Sequence, residues 1–324
     1  MYKMIINKIC YYYKGMKNIL VYAHMPYFQY NDGGTVVQFY LSKILEQDYG
    51  LNVRIYSWSN TKIKNSIFNK FYENDFPIDD NCVVIYSEGT KGNPLNAKYC
   101  VRWMLSKLGQ NVPFDYLFTW EKNELVYYFN SEEKIKNNPD KVGNIYKMMN
   151  LLYVSPYIKN YNNEQRSGTC YTIRKGREIH KSHIEIIHPP PPNSLELNRM
   201  GKLLDYVNIF NTFEYFYSYD PCTFYSITAA MCGCISVVIK VNGLSKEDWL
   251  NTIACTEYLK ETGEDLYGVA YGEEEIEFAK STLHLVEKQW INILNYSKKK
   301  YIEPFICDIN NFEKQINTIE NNFY

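Results

Sequence analysis

The residues best suited to chemistry lie in one segment, Tyr217-Ser-Tyr-Asp-Pro-Cys-Thr-Phe-Tyr-Ser-Ile-Thr-Ala-Ala-Met-Cys-Gly-Cys234, followed directly by Ile-Ser-Val-Val-Ile. Asp220 ends a strand-like run, Pro221 suits a first helical position and Thr223 falls within the first turn. A helix start presents unpaired N–H groups and the positive end of the helix dipole, so it can hold an anion such as a nucleotide diphosphate. The same residues also read as an ordinary N-cap at Asp220 and a tight helix exit at Cys232 to Cys234. The segment by itself leaves both readings open.

Two further positions carry titratable groups at the ends of apolar runs. His24 follows the first such run, where an imidazole that titrates near neutrality suits a general base, a ligand of sugar hydroxyls, or a structural contact. Asp32, beside Gly33 and Gly34, is an alternative base. His188 precedes four prolines and reads as a fixture of a rigid turn, and His180, His183 and His284 show no metal-ligand spacing with carboxylates.

The elements that must position these residues follow from hydrophobic patterning. Asn18 to Ala23 is a short apolar run of buried-strand type, a polar loop with Gly33 and Gly34 follows, and Thr35 to Leu45 has helical spacing. LNVRIYSW closes a first βαβ unit and CVVIYSE (82–88) adds another strand. The pattern restarts later: LLYVSPYI (151–158) reads as a strand and exit, YNNEQRSG (161–168) as a linker, CYTIRKG as a strand, IEIIHPPPP as a strand halted by prolines, and SLELNRMGKLLDYV as a helix. A strand then ends at Asp220, a helix runs to Gly233, ISVVIKV is the cleanest strand, and a long amphipathic helical region begins near Glu273. Alternation of this kind predicts an α/β protein of two Rossmann-like lobes with parallel sheets, in which ligands sit beyond the carboxyl ends of the strands. The expected division is a tail at 1–16, lobes at 17–160 and 161–290, and a helical tail at 291–324.

Composition bounds the function. The chain has 324 residues, with Lys+Arg 35 against Asp+Glu 36, a net charge of −1. No basic face of the kind that releases phosphate counterions is available, so no nucleic-acid partner is expected. Hydrophobic residues make up 46%, enough for sizeable cores. The 32 tyrosines could form a stacking surface or reflect coding bias; Tyr27, Tyr30, Tyr217 and Tyr219 fall nearest the candidate residues. Nine cysteines without a CxxC pair indicate neither a zinc ribbon nor a complete disulfide framework, which places the chain in a reducing cytoplasm. The first segment is too short and too interrupted by lysine for a spanning helix, but it is compatible with a peripheral membrane contact, or with a translation start at Met16.

The segment from Asp220 resembles the carboxyl-terminal half of the nucleotide-sugar glycosyltransferases of the GT-B fold, in particular the GT4-like bacterial lipopolysaccharide-type and large-virus members. Many retaining members carry Glu-Pro-Phe-Gly, a helix with a second Glu eight residues after the first, then a small-residue exit into a strand. This chain has Asp220-Pro221-Cys222-Thr223, Thr228 eight residues on, and Ala-Ala-Met-Cys-Gly-Cys before the strand. Three other segments are similar: Gly33-Gly34-Thr35 after the first strand, Glu88 with Gly92-Asn-Pro-Leu-Asn-Ala-Lys98 and Val-Arg-Trp103, and Arg174-Lys175-Gly176 after the first strand of the second lobe.

The resemblance, over roughly residues 17 to 290, implies two lobes about a cleft and transfer of a sugar from a nucleotide-diphosphate sugar to a glycan or glycolipid acceptor, with a lean towards retention. It implies that Asp220 faces the donor sugar, that Thr223 and Phe224 offer backbone amides to the phosphates, and that Arg174 and Lys175 hold the diphosphate. Thr228 takes the place of the Glu that grips the ribose, and as a threonine it cannot accept bidentately from a diol. Gly33 and Gly34 would face the cleft, with His24 and Glu88 on the acceptor side. No Asp-x-Asp motif is present, so no metal ligand and no cofactor are expected, the donor being a substrate. The alternatives are a catalytically inactive glycan- or nucleotide-binding protein of the same fold, for which Thr228 argues, and a nucleotide-sugar epimerase or a phosphorylase.

Overall fold

The computed structural model describes residues 18–23, 25, 28, 32–57, 68–73, 75–106, 109, 112–129, 146–180, 190–197 and 203–313. The strand expected around 184–188 falls outside these residues, as do His24, Tyr27, Tyr30 and His188. The chain forms two compact units, Met1–Tyr153 with Ser297–Tyr324, and Val154–Tyr296.

The first unit holds β1 (Asn18–Tyr22), α1 (Gly33–Gln47), β2 (Val53–Tyr56), β3 (Cys82–Ser87), β4 (Tyr99–Met104), β5 (Leu125–Tyr128) and β6 (Tyr146–Met148). The strands lie parallel in the order β2-β1-β3-β4-β5-β6. A parallel strand covered on both faces is apolar throughout, and β3 is buried at all six positions. One face packs on Phe39, Tyr40 and Leu41 of α1 and on Phe305, Ile306 and Ile309 of the helix Glu303–Asn310. That helix is fastened by Asp308, which accepts from the Tyr127 hydroxyl at 2.7 Å and the Lys147 Nζ at 2.8 Å. The other face is covered by the β3–β4 connection, through Leu95 and Ala97, and by Phe76.

A buried ion pair organises that connection. Arg102, 0% exposed in the middle of β4, donates from Nε at 2.6 Å and Nη2 at 2.8 Å to the carboxylate of Glu124, 2% exposed. Its remaining donors reach the carbonyls of Thr90 at 3.1 Å and Gly92 at 2.7 Å, and its face lies against the rings of Tyr86 and Trp120. Every bond of this fork is either charge-assisted or aimed at a loop carbonyl, which is what a desolvated charge requires.

The second unit holds β7 (Thr169–Thr172), α2 (Gly176–Ile179), β8 (Leu195–Glu196), α3 (Leu203–Thr212), β9 (Tyr215–Ser218), α4 (Tyr225–Met231), β10 (Ile235–Val238), α5 (Lys246–Leu250), α6 (Thr256–Thr262), β11 (Val269–Tyr271) and α7 (Ile276–Thr282). Its sheet is parallel in the order β11-β10-β9-β7-β8. The α/β architecture of two parallel sheets is therefore that read from the sequence. Gly233, at φ +85°, ends α4 and leads into β10. Among the described residues no helix is long and apolar enough to cross a membrane.

Three expectations differ. No strand forms over 151–158: Leu151 is buried, while the Leu152 amide and the Asn150 carbonyl are bonded through the Ser297 hydroxyl instead of a neighbouring strand. The helix expected from Ser194 does not include Leu195–Glu196, which pairs with Cys170–Tyr171, and is described over Leu203–Thr212. The polar stretch 161–168, expected as a linker, is packed into the second unit: Arg166 binds the carbonyls of Phe210 and Cys232, each at 2.6 Å, and the side chain of Asn160 at 2.7 Å.

Arg102→Ala strands Glu124 in the core and is expected to cost roughly 3–5 kcal/mol in urea unfolding, with much of it recovered in Arg102→Met/Glu124→Leu. The thiols give a second check. Burial pushes Cys100, Cys232 and Cys255 up to about 12, the Glu124 charge adding to the shift at Cys100. They stay protonated at pH 8, so a thiol reagent should modify the exposed Cys222 and Cys307 and spare these three until the protein unfolds, as peptide mapping would show.

Candidate functional site

The second unit places the cationic pair and the acidic turn at the carboxyl ends of β7 and β9, strands that lie side by side. Arg174 and Lys175 follow β7 and are exposed. Neither forms an ion pair with a carboxylate among the described side chains, whereas Lys240 is paired with Glu274, and Lys246 with Asp265 at 2.6 Å and Glu275 at 2.9 Å. Arg174 adopts φ +43°, a left-handed conformation, and its Cζ lies 4.8 Å from the ring centroid of Tyr225.

Gly176 sets the distance between the two loops. A Cβ there would lie 2.7 Å from the carbonyl carbon of Tyr219, closer than real atoms approach. The loop after β7 therefore rests on the backbone that leads into Asp220. His180 strengthens this seat: its Nε2 is 2.9 Å from the same Tyr219 carbonyl, and since a carbonyl only accepts, Nε2 carries the proton.

Asp220, 4% exposed, caps its own turn. Its Oδ1 accepts from the Cys222 amide at 3.1 Å, its carbonyl accepts from the Ser218 hydroxyl at 2.8 Å and the Thr223 amide at 3.3 Å, and the Thr223 hydroxyl accepts from the Tyr225 amide at 3.3 Å. The helix itself begins only at Tyr225. The amides of Cys222, Thr223 and Tyr225 are thus engaged inside the turn, so the Thr223 amide expected to meet the phosphates is already bonded, with two cations beside it. Trp249 holds this turn from beneath, donating from Nε1 to the Pro221 carbonyl at 2.9 Å and stacking on Tyr271 at 4.8 Å. Phe224 is 37% exposed, edge-on to Trp290.

Thr228 stands apart from this group. It is buried within α4 and its hydroxyl donates to the Phe224 carbonyl at 3.0 Å, the bond an interior helical threonine makes. Tyr217 and Tyr219 offer no stacking face: both are buried, Tyr219 fully, and burial, followed by Glu273, raises the Tyr217 hydroxyl to about 12.

The first unit holds the other candidates. Asp32 is the N-cap of α1, accepting from the Thr35 amide at 2.6 Å. Gly33 opens that helix, and a Cβ there would meet nothing within 4 Å, so no close approach demands glycine; Gly34 is the second residue of the helix. Glu88 is buried, with one oxygen accepting from the Leu105 amide at 2.9 Å and the other from the Ser106 hydroxyl at 2.6 Å. That carboxylate ties the end of β3 to the end of β4. Sequence reasoning gave no role to His180, Tyr225 or Trp249 and took Gly176 only as the end of the Arg174-Lys175-Gly176 run; the one signal available was that glycine placed directly after an Arg-Lys pair.

No protein-family model matches the sequence, and no curated protein matches it. Among solved structures, the chain is similar to T4 phage BGT in complex with UDP and Mn2+, at 11% identity and a TM-score of 0.48, covering 91% of this chain and 100% of that one. It is also similar to a DNA-modifying β-glucosyltransferase solved in the presence and absence of its substrate uridine diphosphoglucose, at 12% identity and a TM-score of 0.41, covering 87% and 98%. Neither likeness bears on the residues of the site. The expectation of a cofactor-free, metal-independent protein does not stand, since the first of these is a complex with Mn2+ as well as UDP. The described residues do not by themselves make a metal centre: no group of three or more His, Cys, Asp or Glu among them is placed to hold an ion.

Gly176→Ala forces the β7 loop off Tyr219 and is expected to lower stability by about 1–3 kcal/mol in denaturant unfolding. An unchanged midpoint would mean that the loop does not rest on that carbonyl.

Proposed function

We propose that this chain is a GT-B-type, GT4-like glycosyltransferase that binds a nucleoside-diphosphate sugar in its second unit and passes the sugar to a hydroxyl of a glycan or lipid-linked glycan. The observation that carries this reading is the pair of exposed cations, Arg174 and Lys175, without carboxylate partners among the described side chains, at the carboxyl end of a parallel strand beside an acidic turn. Ligands of open α/β sheets lie at such ends. Two unneutralised cations there match a diphosphate, which needs local charge and no basic face.

In transfer, the bond between the anomeric carbon and the β-phosphate oxygen breaks, the acceptor oxygen bonds to that carbon, and the acceptor proton passes to a base or to the departing phosphate. Arg174 and Lys175 offset the charge that develops on the leaving diphosphate. Asp220 uses one carboxylate oxygen to hold its turn and turns the other to a sugar hydroxyl or to the positive charge at the anomeric carbon. The acceptor is assigned to the first unit, which carries His24 as the candidate base and Glu88. A second reading, a nucleotide-binding protein without turnover, is favoured by Thr228, whose hydroxyl serves its own helix.

The test is calorimetry with UDP, GDP and ADP, with and without Mn2+, followed by nucleoside diphosphate release from a panel of nucleotide sugars with glycan, glycolipid and duplex DNA acceptors. One diphosphate is expected to bind, and Arg174→Ala/Lys175→Ala to weaken it at least about tenfold with unchanged melting, since each charge-assisted contact is worth roughly 1.5–3 kcal/mol. Asp220→Ala should abolish turnover and spare nucleotide binding. Binding without turnover by the native protein would select the second reading, and no binding of any diphosphate would overturn both.

A further inference from the structure

We propose that Tyr225 is the positioning residue for Arg174, its ring serving as the platform that keeps the guanidinium aimed at the diphosphate without neutralising it. The inference rests on the donor-binding reading of the second unit. A cation that must hold an anion needs to be fixed in place, and the usual fixture, a carboxylate, competes with the ligand for the same donors. Lys240 and Lys246 are held in that way. Arg174 is held differently: the guanidinium carbon stands 4.8 Å from the Tyr225 centroid, inside the roughly 6 Å range of a cation–π contact. A guanidinium seated by its carbon over a ring keeps N–H groups at its edge for phosphate oxygens.

Two features show that this contact is built into the fold. Arg174 has φ +43°, a conformation a non-glycine residue adopts at a cost and one commonly found where the surroundings over-determine a functional position. Tyr225 is itself fixed, because its ring lies 4.6 Å from Tyr206 and 6.5 Å from Phe210, which in turn packs 5.0 Å from Phe216 of β9, and its amide is bonded to the Thr223 hydroxyl. A line of rings thus runs from the core of the second unit to the cation. The turn that presents Asp220 and the ring that seats Arg174 belong to one short segment, Asp220 to Tyr225, so the acid and the cation of the site are set by one piece of backbone.

The experiment compares UDP and uridine binding by calorimetry in the full-length protein carrying Tyr225→Phe, Tyr225→Leu and, at the same position, fluorinated phenylalanines that keep the shape of the ring while weakening its quadrupole. Tyr225→Phe should bind UDP within about twofold of the native protein. Tyr225→Leu should lose about three- to tenfold, and successive fluorination should weaken UDP binding stepwise, while uridine, which lacks the phosphates, is unaffected. On an Arg174→Ala background these changes should vanish. The fluorinated series serves if the leucine variant fails to fold. UDP binding that is indifferent to fluorination, or that falls equally with Arg174 absent, overturns the proposal while leaving the donor reading in place. Failure of the native protein to bind any nucleoside diphosphate overturns the donor reading itself and this inference with it.

Discussion

The site in the second unit depends on one close approach. Gly176 lies against the backbone of Tyr219, where no Cβ fits, and His180 donates to the carbonyl of the same residue. Because β7 and β9 are parallel neighbours, this contact fixes the loop that follows one strand against the turn that follows the other. Arg174, Lys175 and Asp220 come from separate segments, and their proximity is a consequence of that seat. Trp249, bonded to the Pro221 carbonyl, keeps the turn from sinking away from it. The chemistry proposed for these residues needs such rigidity, since a diphosphate is recognised by donors already in place.

The first unit solves a different problem with a buried charge. Arg102 and Glu124 neutralise each other, and the rest of the Arg102 fork draws the β3–β4 connection onto the sheet through the carbonyls of Thr90 and Gly92. Glu88 then ties the start of that connection to Leu105 and Ser106, just past the end of β4. In the fold the buried polar residues of segment 88–106 are bonded both within it, as Glu88 is to Ser106, and beyond it, as Arg102 is to Glu124. Removal of Arg102 or Glu88 would leave buried groups unmatched, which accounts for a charge at each of these positions.

Much of the architecture was legible in the sequence, for reasons visible in particular residues. NILVY, CVVIYS and ISVV are almost wholly apolar because their strands are covered on both faces, and Gly233 marks the end of its helix through its positive φ. β4 gave no comparable signal, since Arg102 sits at its centre and only the distant Glu124 makes that burial affordable. The run at 151–158 misled because apolar residues can enter a core as an irregular segment when a side chain, here Ser297, satisfies the backbone. In the site, Asp220 and the Arg174-Lys175 pair were legible as charged groups at strand ends. The inward turn of the Thr228 hydroxyl, the self-capping of Asp220 and the ring beneath Arg174 were not, because each depends on which neighbour the folded chain brings within a few ångströms.

The most direct measurement is a crystal structure of the protein with UDP bound, with and without Mn2+. The diphosphate is expected at the carboxyl ends of β7 and β9, its oxygens within hydrogen-bond distance of the Arg174 guanidinium and the Lys175 ammonium, with Arg174 still seated over Tyr225. A diphosphate bound elsewhere, with Arg174 and Lys175 left in solvent, would contradict the assignment of this site.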